Sequence, residues 1–190
     1  MSATHPEQFA SRPPAWRLRA RARLGLLLGR HRAAEAAFDA LLVQHPDDGD
    51  ARAGRAHLRA LRGDRNAAIA DLRAMVSRRA ADAFNLGYLL DADGRAGEAE
   101  AAFREALAGD ASLDRAWYGL GLALARTDRL DEAVAAFEHH TVLQPMNPCG
   151  WYQLAHVHAR RGDADACRRV IAHLKGFEPR VAAQLERETA

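Results

Sequence analysis

The chain has 190 residues, of which 27 are basic, 25 are acidic and only 6% are aromatic. Abundant alanine and arginine with few prolines favour an all-helical protein. Two cysteines are too few for a disulfide framework, and no apolar run approaches the ~20 residues of a membrane-spanning helix, so disulfide-rich and membrane-spanning classes are excluded.

The first 14 residues are predicted to form a flexible N-terminal arm. They are polar, contain Pro6, Pro13 and Pro14, and show no helical periodicity. No signal-peptide core or cleavage site follows, which favours a cytoplasmic protein. Nearly all basic charge is arginine, with Lys175 as the only lysine, and this bias is typical of a GC-rich bacterial genome.

Residues 15–181 repeat a pattern about every 34 positions. It is clearest at 114–147, where apolar and small residues are followed by a closing proline: Trp117, Leu120, Gly121, Leu124, Ala133, Phe137 and Pro145. Equivalent residues 34 positions earlier are Leu86, Gly87, Ala99 and Phe103. The pattern predicts repeats at about 15–48, 49–79, 80–113, 114–147 and 148–181, followed by a capping helix over 182–190.

The second repeat departs from this pattern. It is shorter, and Arg55 and Arg59 stand where the fourth repeat has Leu120 and Leu124. Either the helix is rotated, or the arginines reach a partner, or their aliphatic stems cover apolar surface.

The spacing W-x2-L-G-x2-(Y/L), then A-x3-F, then P, resembles the tetratricopeptide repeat. This resemblance implies an all-α, right-handed superhelical solenoid of about five helix-turn-helix hairpins with a short C-terminal capping helix. It also implies a non-enzymatic scaffold or adaptor that binds a peptide or protein segment in its concave groove. The alternatives are a self-assembling structural protein and the substrate-recruitment module of a larger transferase.

In this family the first helix of each hairpin lines the groove. Transferred by position, the resemblance places these residues there: Arg19, Arg23, His57, Phe84, Tyr88, Tyr118, Leu122, Arg126, Tyr152, His156 and Arg160. Phe84, Tyr118 and Tyr152 are equivalent, so we expect a row of rings along an extended peptide, with packing between neighbouring helices as the alternative. Arg126 and Arg160 are also equivalent and are candidates to pair with acidic groups of a ligand.

Charge divides the chain into unlike halves. Residues 12–79 contain 15 basic and 7 acidic side chains, whereas residues 80–190 contain 12 basic and 17 acidic ones. This could attract an acidic partner to the N-terminal half or allow head-to-tail self-association. Nucleic acid is a less favoured partner, and a membrane partner is not expected.

The sequence shows no catalytic motif, and we predict no enzyme activity, cofactor or metal. His139, His140, His156, His158 and Cys167 are an open alternative for a metal site, although their spacing matches no common ligand motif.

Overall fold

A computed structural model describes residues 12–189, so residues 1–11 of the predicted arm lie outside the described part. Residues 12–189 contain eleven α-helices and no β-strand. The helices are α1 Ala15–Leu27, α2 His31–Gln44, α3 Gly49–Leu61, α4 Arg65–Arg73, α5 Ala80–Ala92, α6 Ala96–Gly109, α7 Asp114–Arg126, α8 Leu130–Leu143, α9 Pro148–Arg160, α10 Ala164–Lys175 and α11 Pro179–Glu188.

Helices α1 to α10 form five antiparallel hairpins, and each second helix also contacts the first helix of the next hairpin. Helix α11 packs on α10 and α9 at the C-terminal end. The predicted all-α solenoid of five hairpins and a capping helix is therefore confirmed. The last helix begins at Pro179, earlier than residue 182, because proline is favoured in the first turn of a helix.

Glycines allow the helices to approach closely around buried phenylalanines. A Cβ atom added to Gly121 would lie 2.7 Å from Phe137 of the same hairpin. The same contact recurs between Gly87 and Phe103, also at 2.7 Å, and Gly119 of the next hairpin approaches Phe103 as well. Because Phe103 and Phe137 are only 2% and 0% exposed, these sites have no room for a side chain.

Two tryptophans attach the first helix of a hairpin to the loop before it. The indole Nε1 of Trp117 donates to the carbonyl of Ala111, and that of Trp151 donates to the carbonyl of Pro145, both at 2.9 Å. The ring of Trp117 stacks on His139, with centroids 4.2 Å apart. The tryptophans of the repeat pattern thus satisfy loop carbonyls as well as adding apolar area.

Asp128 occupies a turn position that is glycine in the other four hairpins. Its φ of 61° is left-handed, as are those of the equivalent glycines Gly29, Gly63, Gly94 and Gly162. Asp128 is the one non-glycine residue among residues 12–189 with positive φ. A side chain in this conformation is strained, since Cβ approaches the backbone.

We expect Asp128→Gly to stabilise the protein by about 0.5–1 kcal/mol, because it relieves this strain. The change also removes the ion pair between Asp128 and Arg160, at 3.0 Å, but Asp128 is 82% exposed and such pairs contribute little. Urea denaturation followed by circular dichroism measures the difference. Gly162→Asp is the matched control and should destabilise; a loss of stability in Asp128→Gly would show that the ion pair outweighs the strain.

The arginines of the second hairpin form a partly buried ionic network. Arg55 donates two hydrogen bonds to Asp71 of α4, and Arg59 donates a third at 2.9 Å. Arg55 also pairs with Asp39 at 2.7 Å, and Arg59 lies 3.4 Å from Glu35. The hydrogen bond with Asp71 raises the pKa of Arg55 above its usual value. Internal carboxylates therefore bind these arginines, and an external partner is not their main contact.

The second hairpin also has the shortest second helix, since α4 has 9 residues and the other second helices have 12 to 14. The apolar core changes at this hairpin. One cluster comprises the first hairpin with Ala51 and Leu58 of α3, and the main cluster extends from Ala56 to Leu185. Because α4 is short, it places fewer side chains in the space between α3 and α5.

Candidate functional site

The first helices of successive hairpins lie side by side towards the C-terminus, where α5 contacts α7, α7 contacts α9, and α9 contacts α11. We call the surface formed by α1, α3, α5, α7, α9 and α11 the A-helix surface. All the predicted site residues lie on these helices: Arg19 and Arg23 on α1, His57 on α3, Phe84 and Tyr88 on α5, Tyr118, Leu122 and Arg126 on α7, and Tyr152, His156 and Arg160 on α9.

The N-terminal part of this surface contains a pocket of about 460 Å³ between α1 and α3, lined by three arginines and two aspartates. Arg19, Arg23 and Arg79 line it, together with Leu26 and Phe38. Arg19 pairs with Asp48 at 2.7 Å, and Arg79 pairs with Asp50 at 3.2 Å. Arg23 forms no ion pair with any residue in the range 12–189.

Asp48 connects this pocket to the start of α3. Its carboxylate accepts a hydrogen bond from the backbone NH of Ala51 at 2.9 Å and therefore caps the helix. Burial opposes ionisation, but this bond and the one from Arg19 lower the pKa of Asp48. The carboxylate thus stays charged and partly neutralises Arg19, so that Arg23 is the arginine of this pocket with most capacity to bind an anion.

A smaller cavity of about 160 Å³ lies between α3 and α5. Most of its lining residues are small or apolar: Ala53, Ala56, Ala60, Leu72 and Leu89. The other three are polar or aromatic: His57, Asn85 and Tyr88. Tyr88 is 62% exposed. The alanines of α3 leave this space open because they do not reach α5. Positional transfer had selected His57 and Tyr88 of this cavity, but it did not use the repeated alanines at 53, 56 and 60, which were the sequence signal for the open space.

The predicted ligand-binding arginines of the C-terminal part already have internal partners. Arg126 donates to the carboxylate of Asp91 at 2.5 Å and to its carbonyl at 3.1 Å. Arg160 donates to the carbonyl of Ala125 at 2.8 Å and to Asp128 at 3.0 Å. Each arginine thus bonds to the preceding hairpin, so a ligand would have to compete with these contacts.

Two of the three equivalent rings pack against side chains of the core. Phe84 packs against Phe103, with centroids 6.0 Å apart, and the Arg115 guanidinium lies 4.9 Å from its ring. Tyr118 meets Phe137 edge-on at 5.8 Å, and burial raises its pKa. The hairpins approach closely enough to half-bury these rings, so the alternative of packing between neighbouring helices occurs here, and peptide binding by the rings stays a prediction. Leu122 likewise packs against the core.

The predicted site residues of α9 contact the capping helix α11. The hydroxyl of Tyr152 donates to Glu188 at 2.8 Å, and His156 Nε2 lies 3.0 Å from the same carboxylate. Hydrogen bonds from Gln184 and Tyr152 lower the pKa of Glu188. Helix α11 therefore covers this end of the A-helix surface. Open pockets lie between α1 and α5, and a further pocket of about 210 Å³ lies beside Tyr118 and Cys149.

The histidines considered for a metal site have separate environments. His140 Nδ1 lies 3.0 Å from the carbonyl of Asp114, and His158 is buried, which lowers its pKa. His139 stacks on Trp117. Across residues 12–189, no group of three or more histidine, cysteine, aspartate or glutamate side chains could hold a metal ion.

A family model described as Tetratricopeptide repeat matches residues 83–110 and 114–140, which correspond to the third and fourth hairpins. The third and fourth hairpins are therefore tetratricopeptide repeats, and the other hairpins share their helix-turn-helix fold. Repeats of this family are generally interaction modules for other proteins. A comparison with curated proteins found no match.

Solved structures of tetratricopeptide-repeat proteins share the fold over most of the chain. YrrB, described as a TPR protein with an unusual peptide-binding site, has a TM-score of 0.80 at 18% identity, covering 87% of this chain and 88% of YrrB. MamA residues 41 to the end from Desulfovibrio magneticus RS-1 gives 0.75 at 18%, covering 92% and 96%. PilF of Pseudomonas aeruginosa gives 0.68 at 22%, covering 91% and 86%.

In the part from residue 12 to residue 189, no helix has the length and hydropathy needed to span a membrane.

Proposed function

We propose that this protein is a non-catalytic adaptor that binds an extended acidic segment of another protein on the A-helix surface between α1 and α5. The observation that carries the proposal is the cavity between α3 and α5 beside the exposed ring of Tyr88. A cavity of about 160 Å³ with mostly apolar walls suits one apolar side chain of a peptide.

The arginines of α1 supply the charge preference. Arg23 lines the neighbouring pocket without an internal ion pair among residues 12–189, and residues 12–79 contain 15 basic and 7 acidic side chains. An acidic residue next to the apolar anchor could therefore pair with Arg23. His57, Asn85 and Tyr88 at the cavity edge offer hydrogen bonds to the peptide backbone.

Pre-formed helices support binding in this mode. The helices are held by the hairpin packing, so the receptor loses little conformational entropy when a peptide binds. YrrB, a structure of the same fold, is described as having a peptide-binding site, which supports the same class of ligand here.

Selection of a displayed random-peptide library against the full chain tests this function. We expect selected peptides to combine an apolar residue with aspartate or glutamate, and Tyr88→Ala to weaken their binding by about tenfold, since an aromatic contact at a binding surface often contributes more than 1 kcal/mol. Ala53→Phe should also weaken binding, because the ring fills space at the cavity.

Val142→Ala is the matched control for exposure, since Val142 is 78% exposed and lies on α8, away from the A-helix surface. It should bind the selected peptides as the parent does. Basic selected peptides, or equal binding by Tyr88→Ala and the parent, would contradict the proposed site.

A further inference from the structure

The outward face of α1 has an exposed apolar stripe. Trp16, Ala20, Leu24 and Leu27 follow one another at helical spacing, and we call them the α1 stripe. Trp16 is 64% exposed, Leu24 57% and Leu27 83%. The opposite face of the helix is buried against the first hairpin through Leu18, Ala22 and Gly25.

Arginines flank the α1 stripe on both sides. On a helical projection Arg17 and Arg21 lie along one edge, and Arg19 and Arg23 lie along the other. The range 12–34 contains seven arginines and no acidic residue. Of these seven, Arg19 is the one that forms an ion pair within residues 12–189, so most of the positive charge is uncompensated.

Joints inside the array are built differently. There the first helix of a hairpin presents small residues, and the preceding helix packs closely on them. A Cβ on Gly119 would lie 2.5 Å from Phe103, and one on Gly150 would lie 2.2 Å from His140. The α1 stripe instead projects a tryptophan and two leucines, which would hold a rigid helix at a greater distance. A deformable surface accommodates such projecting side chains better than a rigid helix does.

We propose that the α1 stripe docks this protein on the surface of an anionic lipid bilayer. Trp16, Leu24 and Leu27 would enter the interfacial region, and the flanking arginines would contact lipid phosphates. This goes beyond the adaptor function, because it assigns the place where a bound segment is presented. It also departs from the expectation of no membrane partner.

Charge disfavours a second copy of this chain as the occupant. Symmetric pairing of two α1 helices would place their unpaired arginines opposite one another. At the other end of the array, α11 exposes Arg180, Gln184 and Glu186, which form no apolar face complementary to the α1 stripe. Anionic lipid satisfies both the apolar and the basic parts of α1.

Vesicle flotation with the full chain tests the proposal. We expect binding to phosphatidylcholine vesicles that contain phosphatidylglycerol, and at least about tenfold weaker binding to phosphatidylcholine alone, because each arginine near an anionic surface adds about 1 kcal/mol. Added salt should weaken the binding. Leu24→Glu with Leu27→Glu should reduce it by at least about tenfold through loss of buried apolar area.

Val76→Glu with Val142→Glu is the matched control, since these residues are 86% and 78% exposed and lie outside α1. It should bind vesicles as the parent does, and unchanged circular dichroism should show that both variants fold. Absence of binding to anionic vesicles would overturn the proposal, as would equal loss in the control. A stripe-dependent dimer without vesicle binding would also overturn it and would identify a second copy as the occupant.

Discussion

Asp71→Ala should destabilise the protein by about 3–5 kcal/mol, because it leaves two partly buried arginines without their shared carboxylate. Asp71 is only 3% exposed and accepts hydrogen bonds from both Arg55 and Arg59. Desolvated guanidinium groups that lose such a partner are costly, while the remaining contacts with Asp39 and Glu35 are only partial compensation. Urea denaturation followed by circular dichroism measures the loss.

A triple variant separates the loss of pairing from a simple loss of packing. Arg55→Leu, Arg59→Leu and Asp71→Ala together reproduce the residues of the fourth hairpin, Leu120, Leu124 and Ala136, which are buried there. Because an apolar core can replace a buried ion network, we expect stability within about 1 kcal/mol of the parent or above it. A triple variant as unstable as Asp71→Ala would show that the network has no apolar equivalent in this hairpin.

Gly121→Leu should destabilise the protein by about 3 kcal/mol, at the upper end of the range for overpacked cores. The first added carbon would already lie 2.7 Å from the ring of Phe137, which is fully buried and cannot move aside. The thermal and urea midpoints should both fall, while the helical content of the folded protein stays the same.

Gly97→Ala is the matched control for removing a helical glycine. A Cβ at Gly97 of α6 meets no atom within 4 Å, so only the backbone effect remains. This variant should be as stable as the parent or more stable by up to about 1 kcal/mol. An unchanged midpoint in Gly121→Leu would contradict the close packing of α7 against α8.

The fold could be predicted from the sequence because its anchors obey one period. Trp117, Gly121 and Phe137 each help to pack neighbouring helices within the array, and the same packing requirement recurs in each hairpin. The sequence also showed that the second repeat is short. The structure shows that the shortened element is α4, which has 9 residues. The ion-pair partners of Arg55 and Arg59 were not predictable. Asp71, Asp39 and Glu35 come close to these arginines only through tertiary packing.

Site prediction was less complete for a physical reason. Positional transfer places a residue on a helix face, but it does not show what a neighbouring helix does to that residue. Tyr118 and Arg126 are on the predicted helices and are engaged by adjacent hairpins. The cavity beside Tyr88 arises from the small side chains of Ala53, Ala56 and Ala60 on α3, which positional transfer does not consider.

Peptide binding between α1 and α5 and membrane docking would use different apolar residues, but both would involve Arg23. The α1 stripe lies on the outward face of α1, whereas Arg19 and Arg23 also line the pocket shared with α3. A peptide held beside Tyr88 would then lie one hairpin away from the lipid surface. Such an arrangement would present a bound segment close to a bilayer.

Nuclear magnetic resonance of the isotope-labelled full chain, titrated with a selected acidic peptide, tests the binding site most directly. We expect the largest chemical-shift changes in α3 and α5, at Ala53, His57 and Tyr88, with smaller changes at Arg23. Helices α8 and α10 should show little change. Changes confined to α7, α9 and α11 would contradict the proposed site and place the ligand on the C-terminal part of the A-helix surface.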